Sequence, residues 1–216
     1  NYVSGTDIPT ASLTENTTYT LVSVIDANGC SATTLSGSCV VTVGVLPDKA
    51  TLVPVTTPLC EGVNAQLALT ITGGVPPFSV TIDNIGTNSV PGYTYTYNLG
   101  TGLTVGSHPY NITAITDNCG KPFGNLGSTA TIVVNANPIA LVLTGSTICV
   151  SPGGNGTITS TTSVVGINYQ LYDAANAAVQ AVKAGTGSGL TWSGLAAGNG
   201  YYVIGTNATT SCVSPN

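Results

Sequence analysis

The fold is decided by the stretch Leu67-Ala-Leu-Thr-Ile-Thr-Gly-Gly-Val-Pro-Pro-Phe-Ser-Val-Thr-Ile82. On each side of its Gly-Gly-Val-Pro-Pro centre, apolar residues alternate with small polar ones. Alternation with a period of two places one set of side chains on one face of a β-strand. Adjacent Gly and Pro residues interrupt regular structure and favour turns. The stretch therefore predicts two half-buried strands joined by a tight loop.

The same alternation recurs along most of the chain. Gly-rich, Pro-rich and Asn-Gly turns separate the alternating segments, so that strands return about every 8 to 12 residues, which is typical of a β-sandwich. We therefore predict an all-β protein. The further alternating segments are Tyr19–Ile25, Tyr93–Tyr97, Tyr110–Ile115 and Ala130–Val134.

An internal repeat organises these strands. In each copy a Leu, a short polar turn and a Tyr open an alternating strand, and that strand ends in a polar turn that carries a Cys. This register predicts tandem immunoglobulin-like (fibronectin III-like) β-sandwich repeats. The repeated residues are Leu13, Tyr19 and Cys30, then Leu103, Tyr110 and Cys119, then Leu195, Tyr202 and Cys212.

The register also predicts the domain organisation. Residues 1–45 hold the C-terminal part of one repeat, residues 46–136 a complete repeat, and residues 137–216 a repeat that lacks its last strand. Each incomplete repeat would expose an unpaired sheet edge. Two explanations stand: the sequence is a window on a longer chain, or neighbouring copies complete one another by strand addition.

The tyrosine that opens each repeated strand has two interpretations. Its hydroxyl can return to an upstream backbone carbonyl, as in the tyrosine corner of sandwich domains, or its ring can be an ordinary core aromatic.

The six cysteines indicate an oxidising compartment. Their even number in small β units, without a C-x-x-C motif, favours disulfides over a metal site. Cys60 and Cys119 occupy the same positions in one repeat as Cys149 and Cys212 in the next, so we expect the pairs Cys60–Cys119 and Cys149–Cys212. Cys30 would then pair upstream of Asn1, and because Cys39 has no counterpart, we favour a local Cys30–Cys39 pair. This predicts disulfide-stapled repeats.

Composition excludes several classes of partner. The 216 residues contain 3 Lys+Arg, none of them Arg, and 8 Asp+Glu, with 5% charged residues and 42% hydrophobic ones. Three cations cannot neutralise a row of phosphates, so we expect no nucleic-acid partner. No run approaches 18 consecutive apolar residues, so we expect no membrane insertion.

Catalytic residues are sparse. His108 is the single histidine, and no phosphate-binding, dinucleotide-binding or serine-nucleophile motif occurs. The carboxylates are scattered, whereas calcium requires several oxygens in one loop. Asp26 and Asp117, just before a repeated Cys, are interpreted as turn-capping residues. We therefore predict that the chain is not an enzyme and needs no cofactor or metal.

Four aromatic residues form a candidate ligand face. Alternation puts Tyr93, Tyr95 and Tyr97 on one side of a strand, and together with Trp192 they could stack against a sugar. If that side is buried, the same residues belong to the core.

Two segments together resemble a known family. The motif Ile71-Thr-Gly-Gly-Val-Pro-Pro-Phe78 downstream of Cys60-Glu-Gly62, and the strand and turn Tyr19 to Cys30, are similar to repeats of large secreted cell-surface adhesins of Bacteroidetes, including gliding-motility adhesins. The third repeat departs from the pattern, since it lacks the Gly-Gly-x-Pro-Pro motif. The resemblance implies an extracellular protein tethered to the cell surface or assembled as a filament.

Three functions from different classes follow. The leading one is a structural and adhesive repeat module of an extracellular bacterial adhesin or surface filament. Its expected partners are neighbouring repeats of the same protein, a homopolymeric filament of copies, and surface glycans or other cells. The second is a carbohydrate-binding or spacer module of a secreted multidomain enzyme. The third, an enzyme, lacks the residues for catalysis.

Overall fold

A computed structural model describes residues 5–123, 126, 129–149 and 154–216, and these residues form strands and turns without a helix. The all-β prediction is confirmed. The strands are β1 (Thr17–Thr20), β2 (Ser38–Val41), β3 (Lys49–Pro54), β4 (Leu59–Cys60), β5 (Ala65–Thr72), β6 (Phe78–Ile82), β7 (Gly86–Val90), β8 (Thr94–Gly100), β9 (Gly106–Thr116), β10 (Thr129–Asn135), β11 (Leu143–Gly145), β12 (Gly156–Ser160), β13 (Ile167–Tyr172), β14 (Lys183–Ala184), β15 (Thr191–Leu195) and β16 (Tyr202–Asn207).

Strands β3 to β10 form a sandwich of two sheets. One sheet has the order β3-β5-β8 and the other the order β4-β10-β9-β6-β7. This is the two-sheet arrangement of immunoglobulin-like domains. The sequence alternation explains how the sheets pack: along β5, Ala65, Leu67, Leu69 and Ile71 are buried and the residues between them are not. Phe78, Val80 and Ile82 of β6 face them from the other sheet, as predicted from the deciding stretch.

The Gly-Gly-Val-Pro-Pro loop anchors the chain that leads into this sandwich. Gly74 N donates to Val45 O at 2.9 Å, and Asp48 N donates to Thr72 O at 3.1 Å. Gly73 has a φ of 72°, and a Cβ there would collide with the carbonyl oxygen of Leu46. A residue without a side chain is therefore required where the two backbones meet.

Strands β11 to β16 form a second, smaller sandwich. Its sheets have the orders β11-β12-β15 and β14-β13-β16. The pairing repeats that of the first sandwich, with β11, β12 and β15 in the roles of β3, β5 and β8. A separate core lies between the sheets, around Trp192, Tyr169 and Leu171. After β16 the chain adds only one bridge, between Thr206 and Val213, where the first sandwich has the full strand β10.

The first segment has one sheet. Strands β1 and β2 pair as a long antiparallel hairpin, with Tyr19 opposite Cys39, and Ile25 and Ser31 bridge near its tip. No second sheet covers this hairpin among the described residues of the chain.

In the second sandwich, a tyrosine corner forms at the residue before the expected one. Tyr201, not Tyr202, donates its hydroxyl to the backbone, at Ala196 O and 3.2 Å. Tyr202 instead stacks on Tyr172 with ring centroids 5.3 Å apart and donates to Asn176 Oδ1 at 2.6 Å. Tyr110 is a buried core aromatic.

Candidate functional site at the junction of the sandwiches

Two of the four residues of the predicted aromatic ligand face belong to the core. Tyr97 lies opposite Leu67 on β5 and points into the first sandwich, and it is buried. Trp192 on β15 is 0% exposed. A sugar cannot stack on a ring that has no accessible surface, so the prediction is wrong for Tyr97 and Trp192. Burial, and secondarily the neighbouring Tyr95, raises the pKa of Tyr97 from 10.0 to about 12.

Tyr95 lies on the edge strand β8 and Tyr93 directly precedes it, and both are partly exposed. The Tyr93 hydroxyl donates to Gly74 O at 3.1 Å, and its ring packs edge-on against Phe78 at 5.6 Å between centroids. Tyr95 packs against the Tyr97 ring at 4.8 Å. Tyr93 therefore supports the Gly-Gly loop, and Tyr95 offers ring surface at the side of the sandwich.

The disulfide is Cys60–Cys212, with the two Cα atoms 5.5 Å apart and a sequence separation of 152. It joins the first sandwich to the second. The expected pairs Cys60–Cys119, Cys149–Cys212 and Cys30–Cys39 are wrong, since the other four cysteines are free and exposed.

Strand direction explains why Cys60 does not reach Cys119. Strand β4 pairs in parallel with the end of β10, so Cys60 lies beside Asn135. Cys119 lies in the turn that precedes β10. Strand β9 runs from beside the end of β10 to the turn that carries Cys119, so its 11 residues separate the two cysteines by about 30 Å, whereas a disulfide requires Cα atoms within about 7 Å. The two cysteines therefore occupy opposite poles of one sandwich.

The second sandwich repeats this polarity. Cys149 lies close to the start of β12, where a Cβ on Gly154 would lie 3.0 Å from Cys149 O. Cys212 follows β16, whose end pairs with the start of β13, and β13 begins just after β12 ends. The length of β12 therefore separates Cys149 from Cys212.

The third expected pair, Cys30–Cys39, does not form because the two cysteines lie at different levels of the hairpin. Cys30 is in the turn at the tip, beyond the Ile25–Ser31 bridge, and Cys39 is opposite Tyr19 near the base. About six residue steps of extended chain, or about 20 Å, separate these two levels.

Two hydrogen bonds fasten the start of the linker between the sandwiches to Glu61, the residue after Cys60. Glu61 N donates to Asn135 O at 2.9 Å. Asn137 Nδ2 donates to Glu61 O at 3.0 Å. The chain that leaves β10 is thus fastened to the residue next to Cys60 before it enters β11.

A compact turn presents Cys212 to this junction. Asn207 N donates to Cys212 O at 2.8 Å, and Asn207 Oδ1 accepts from Thr209 N at 2.9 Å and from Thr210 N at 3.0 Å. Ser214 Oγ accepts from Gly205 N at 2.9 Å. Cys212 is fully buried. The sulfur is therefore presented by a closed turn that is fastened on both sides.

The capping role of the turn aspartates is confirmed. Asp26 Oδ1 accepts from Asn28 N at 2.9 Å and Cys30 N at 2.8 Å. Asp117 Oδ1 accepts from Cys119 N at 3.0 Å and Lys121 N at 2.8 Å, and its other oxygen accepts from Val75 N at 3.2 Å. These bonds use carboxylate oxygens to close backbone turns.

Candidate catalytic groups are dispersed. His108 Nε2 lies 2.7 Å from Thr104 O, which places the ring against the turn before β9. Within the ranges that the structure describes, no three His, Cys, Asp or Glu side chains gather as a metal site would require. None of the described segments forms a helix that could cross a membrane.

A shallow pocket opens at the far end of the second sandwich. Its volume is ≈ 340 Å³, and Leu143, Ile148, Thr157, Leu195 and Tyr201 are among its lining residues. This pocket could not be predicted from the sequence, because its walls come from three separate segments, residues 143–148, 156–158 and 195–201. The junction was also missed, although the repeated spacing of the cysteines could have suggested a bond between successive repeats.

Comparison with known proteins gives only distant structural neighbours. No model of a known protein family matches the chain, and no curated protein matches it. The human OSCAR ligand-binding domain is 15% identical with a TM-score of 0.36, over 79% of this chain and 96% of that one.

Two bacterial structures are similar at lower scores. The Yersinia pseudotuberculosis adhesin InvE is 16% identical with a TM-score of 0.28, over 76% of this chain and 56% of that one. The Bacteroides ovatus protein SGBP-B, solved with a mixed-linkage heptasaccharide, is 14% identical with a TM-score of 0.22, over 88% of this chain and 57% of that one. The chain thus spans little more than half of either. The backbones superpose only loosely, so these similarities carry no functional information.

Proposed function

We propose that this chain is a structural and adhesive repeat module of an extracellular bacterial surface protein, in which residues 1–45, 46–136 and 137–216 are parts of three successive immunoglobulin-like repeats. The resemblance of the Cys60-Glu-Gly62 and Gly-Gly-Val-Pro-Pro motifs to adhesin repeats of Bacteroidetes supports placing it on a cell surface or in a filament. Neighbouring repeats of the same protein are its first partners, and glycans or other cells its targets.

The Cys60–Cys212 disulfide carries this proposal. The two sandwiches are joined by the linker from Asn135 to Leu143 and, beside it, by the disulfide. Two connections at one junction restrict hinge and twist motions that a single linker permits. A stiff pair of sandwiches suits a stalk that holds a binding surface away from the cell.

The chemistry of the chain supports an extracellular location. A structural disulfide persists in oxidising compartments. With 5% charged residues, the surface relies on Thr, Ser, Asn and Gly, whose solvation depends little on the pH and salt around a cell.

The proposal that the disulfide stiffens the pair of sandwiches is tested by removing the disulfide. We expect Cys60→Ser/Cys212→Ser to keep both sandwiches folded, because each has its own core, but to broaden the distribution of inter-sandwich distances measured by small-angle X-ray scattering. The matched control is Cys39→Ser/Cys119→Ser, which removes two exposed thiols and should leave scattering unchanged. Identical scattering from the two double variants would contradict the proposal that the disulfide stiffens the pair of sandwiches.

Adhesion is tested on the same proteins. Beads coated with the wild-type chain should bind bacterial cells or an extracellular polysaccharide, and should bind less strongly under shear with the disulfide variant. Beads that bind no cell or polysaccharide would leave the chain as a spacer without adhesive function.

The alternative is a carbohydrate-binding module of a secreted enzyme. The observation that favours it is exposed aromatic surface at Tyr95 and in the Tyr201 pocket. Tight binding to one polysaccharide on a glycan array, lost in Tyr95→Thr or Tyr201→Ala while the fold is retained, would favour this function over a general adhesive.

A further inference from the structure

Cys149 occupies in the second sandwich the place that Cys60 occupies in the first. Cys60 lies between β3 and β5, which pair antiparallel, and Cys149 lies between β11 and β12, which pair in the same way. Each cysteine is at the pole away from the point where the chain enters its sandwich. Cys60 is bonded across a junction, whereas Cys149 is free and exposed.

Cys30 occupies in the first segment the place that Cys212 occupies in the second sandwich. Asp26 N donates to Cys30 O at 2.9 Å, and Asn207 N donates to Cys212 O at 2.8 Å. The next residue of each turn, Ser31 or Val213, forms the bridge that starts the return strand. Both cysteines therefore end a turn that closes onto the end of the preceding strand, over five residues at Cys30 and six at Cys212, but Cys30 is free and exposed.

The other two free cysteines do not fit this pattern. In the turn of Asp117, the closing carbonyl belongs to Lys121, because Asp117 N donates to Lys121 O at 3.1 Å, and Cys119 lies two residues earlier. Cys39 pairs with Tyr19 where Ala130 pairs with Tyr110, and Ala130 is a buried core residue. Cys39 therefore holds a position that a small apolar side chain fills.

We propose that Cys149 and Cys30 are the two halves of a second junction like that of Cys60 and Cys212, so that the Cys149 thiol of one unit bonds the Cys30 thiol at the turn of the next. The structure supplies both halves, one at each end of the described chain. A second copy, arranged head to tail, brings them together.

The bond forms by thiol–disulfide exchange with a disulfide oxidant such as oxidised glutathione. The Cys149 thiolate attacks the oxidant, forms a mixed disulfide and releases one reduced glutathione. The Cys30 thiolate then attacks the Cys149 sulfur and displaces the second glutathione. Two protein thiols lose two electrons, and the oxidant becomes two thiols.

This inference goes beyond the proposed function, because it concerns covalent assembly and holds whether or not the chain adheres to glycans or cells. A glycan array that shows no binding leaves it intact, and a failure of the cross-link leaves adhesion intact.

The experiment mixes two variants of the whole chain in a glutathione redox buffer. Cys30→Ser retains Cys149, and Cys149→Ser retains Cys30, so neither can build the junction alone. We expect the mixture to give a band at twice 21.5 kDa on non-reducing gels that reductant removes, and each variant alone to remain at 21.5 kDa. Mass spectrometry of the band should join the Cys149 peptide to the Cys30 peptide.

Cys39→Ser and Cys119→Ser are the matched controls, since each removes an exposed thiol outside the pattern. Introduced into both partners, they should leave the dimer yield unchanged. A dimer from either single variant, loss of the dimer in a control, or no dimer in the mixture would overturn the proposal.

Non-reducing peptide mapping of the native protein identifies the source of the partner thiol. Cys149 joined to the Cys30 peptide supports the junction with a second copy, whereas Cys149 joined to a cysteine outside the 216 residues would contradict it. Cys149 recovered as a free thiol from oxidised native material would refute the junction.

Discussion

The first hairpin and the first sandwich contain the same turn and the same face, with opposite burial. Tyr19, Leu21 and Val24 of the hairpin are 37%, 50% and 46% exposed. Their counterparts, counted back from the capping aspartate of each turn, are Tyr110, Ile112 and Ile115, which are 5%, 6% and 2% exposed.

The difference shows which properties a strand carries by itself. Alternation sets which side chains share a face, and the aspartate closes the turn, in both regions. Burial requires an opposing sheet, and only β9 has one, formed by β3, β5 and β8. An apolar strand face is therefore a local property, while a core is a property of two sheets.

Truncation of equivalent apolar residues should give the largest difference in stability between the first sandwich and the hairpin. Ile112→Ala should lower the free energy of unfolding of the first sandwich by about 2 to 5 kcal/mol, because it leaves a cavity between packed sheets. Leu21→Ala at the equivalent place should change stability by less than about 0.5 kcal/mol, because its side chain is already half exposed. Hydrogen exchange in urea, resolved by peptide, measures both regions. Equal losses would show that the hairpin face is covered in solution.

Replacement of the capping aspartate should also lower stability more in the first sandwich than in the hairpin. Asp117→Ala should destabilise the first sandwich by about 2 kcal/mol, since it removes a buried carboxylate and leaves partly buried N–H groups, including that of Val75, without a charged acceptor. At the exposed turn, water can replace the carboxylate as a hydrogen-bond acceptor. Asp26→Ala should therefore lower the local stability of the hairpin tip, measured by hydrogen exchange, by less than about 1 kcal/mol. Calorimetry of the Asp117 variant gives an independent value. A larger loss of stability in Asp26→Ala than in Asp117→Ala would contradict the claim that the buried cap contributes more.

The smallest effect concerns Tyr97, whose hydroxyl has no hydrogen-bond partner among the described residues. Tyr97→Phe should stabilise the first sandwich by about 1 kcal/mol near neutral pH, because it removes an unsatisfied buried group.

The pH dependence of the same variant provides a second readout. Since the folded pKa is raised from 10.0 to about 12, the unfolded chain ionises first, and stability should fall as pH rises from 10 to 12. Urea titrations at several pH values should show this fall in the wild type and less of it in Tyr97→Phe. A steeper fall in the variant would contradict the assignment.

The candidate site was only half predictable. The equivalence of Cys60 with Cys149 follows from the repeated segments before each cysteine, and the structure places both at the same pole of their sandwiches. The partner of each was mispredicted, because two cysteines in one repeat are close in sequence but lie at opposite ends of strands. The aromatic row was predicted to share one face of a strand, but which of its rings became core depended on the opposing sheet, since Tyr97 is buried while Tyr93 and Tyr95 stay exposed.

Most strands, the side chains that share a face and the capped turns could be predicted from the sequence alone, because they depend on residues only a few positions apart. The tertiary structure alone decided which faces became core and which cysteines bonded. Burial needs a second sheet, and a disulfide needs two Cα atoms within about 7 Å. Cys60 and Cys212, 152 residues apart, meet this condition because one lies at the end of the first sandwich and the other at the start of the second.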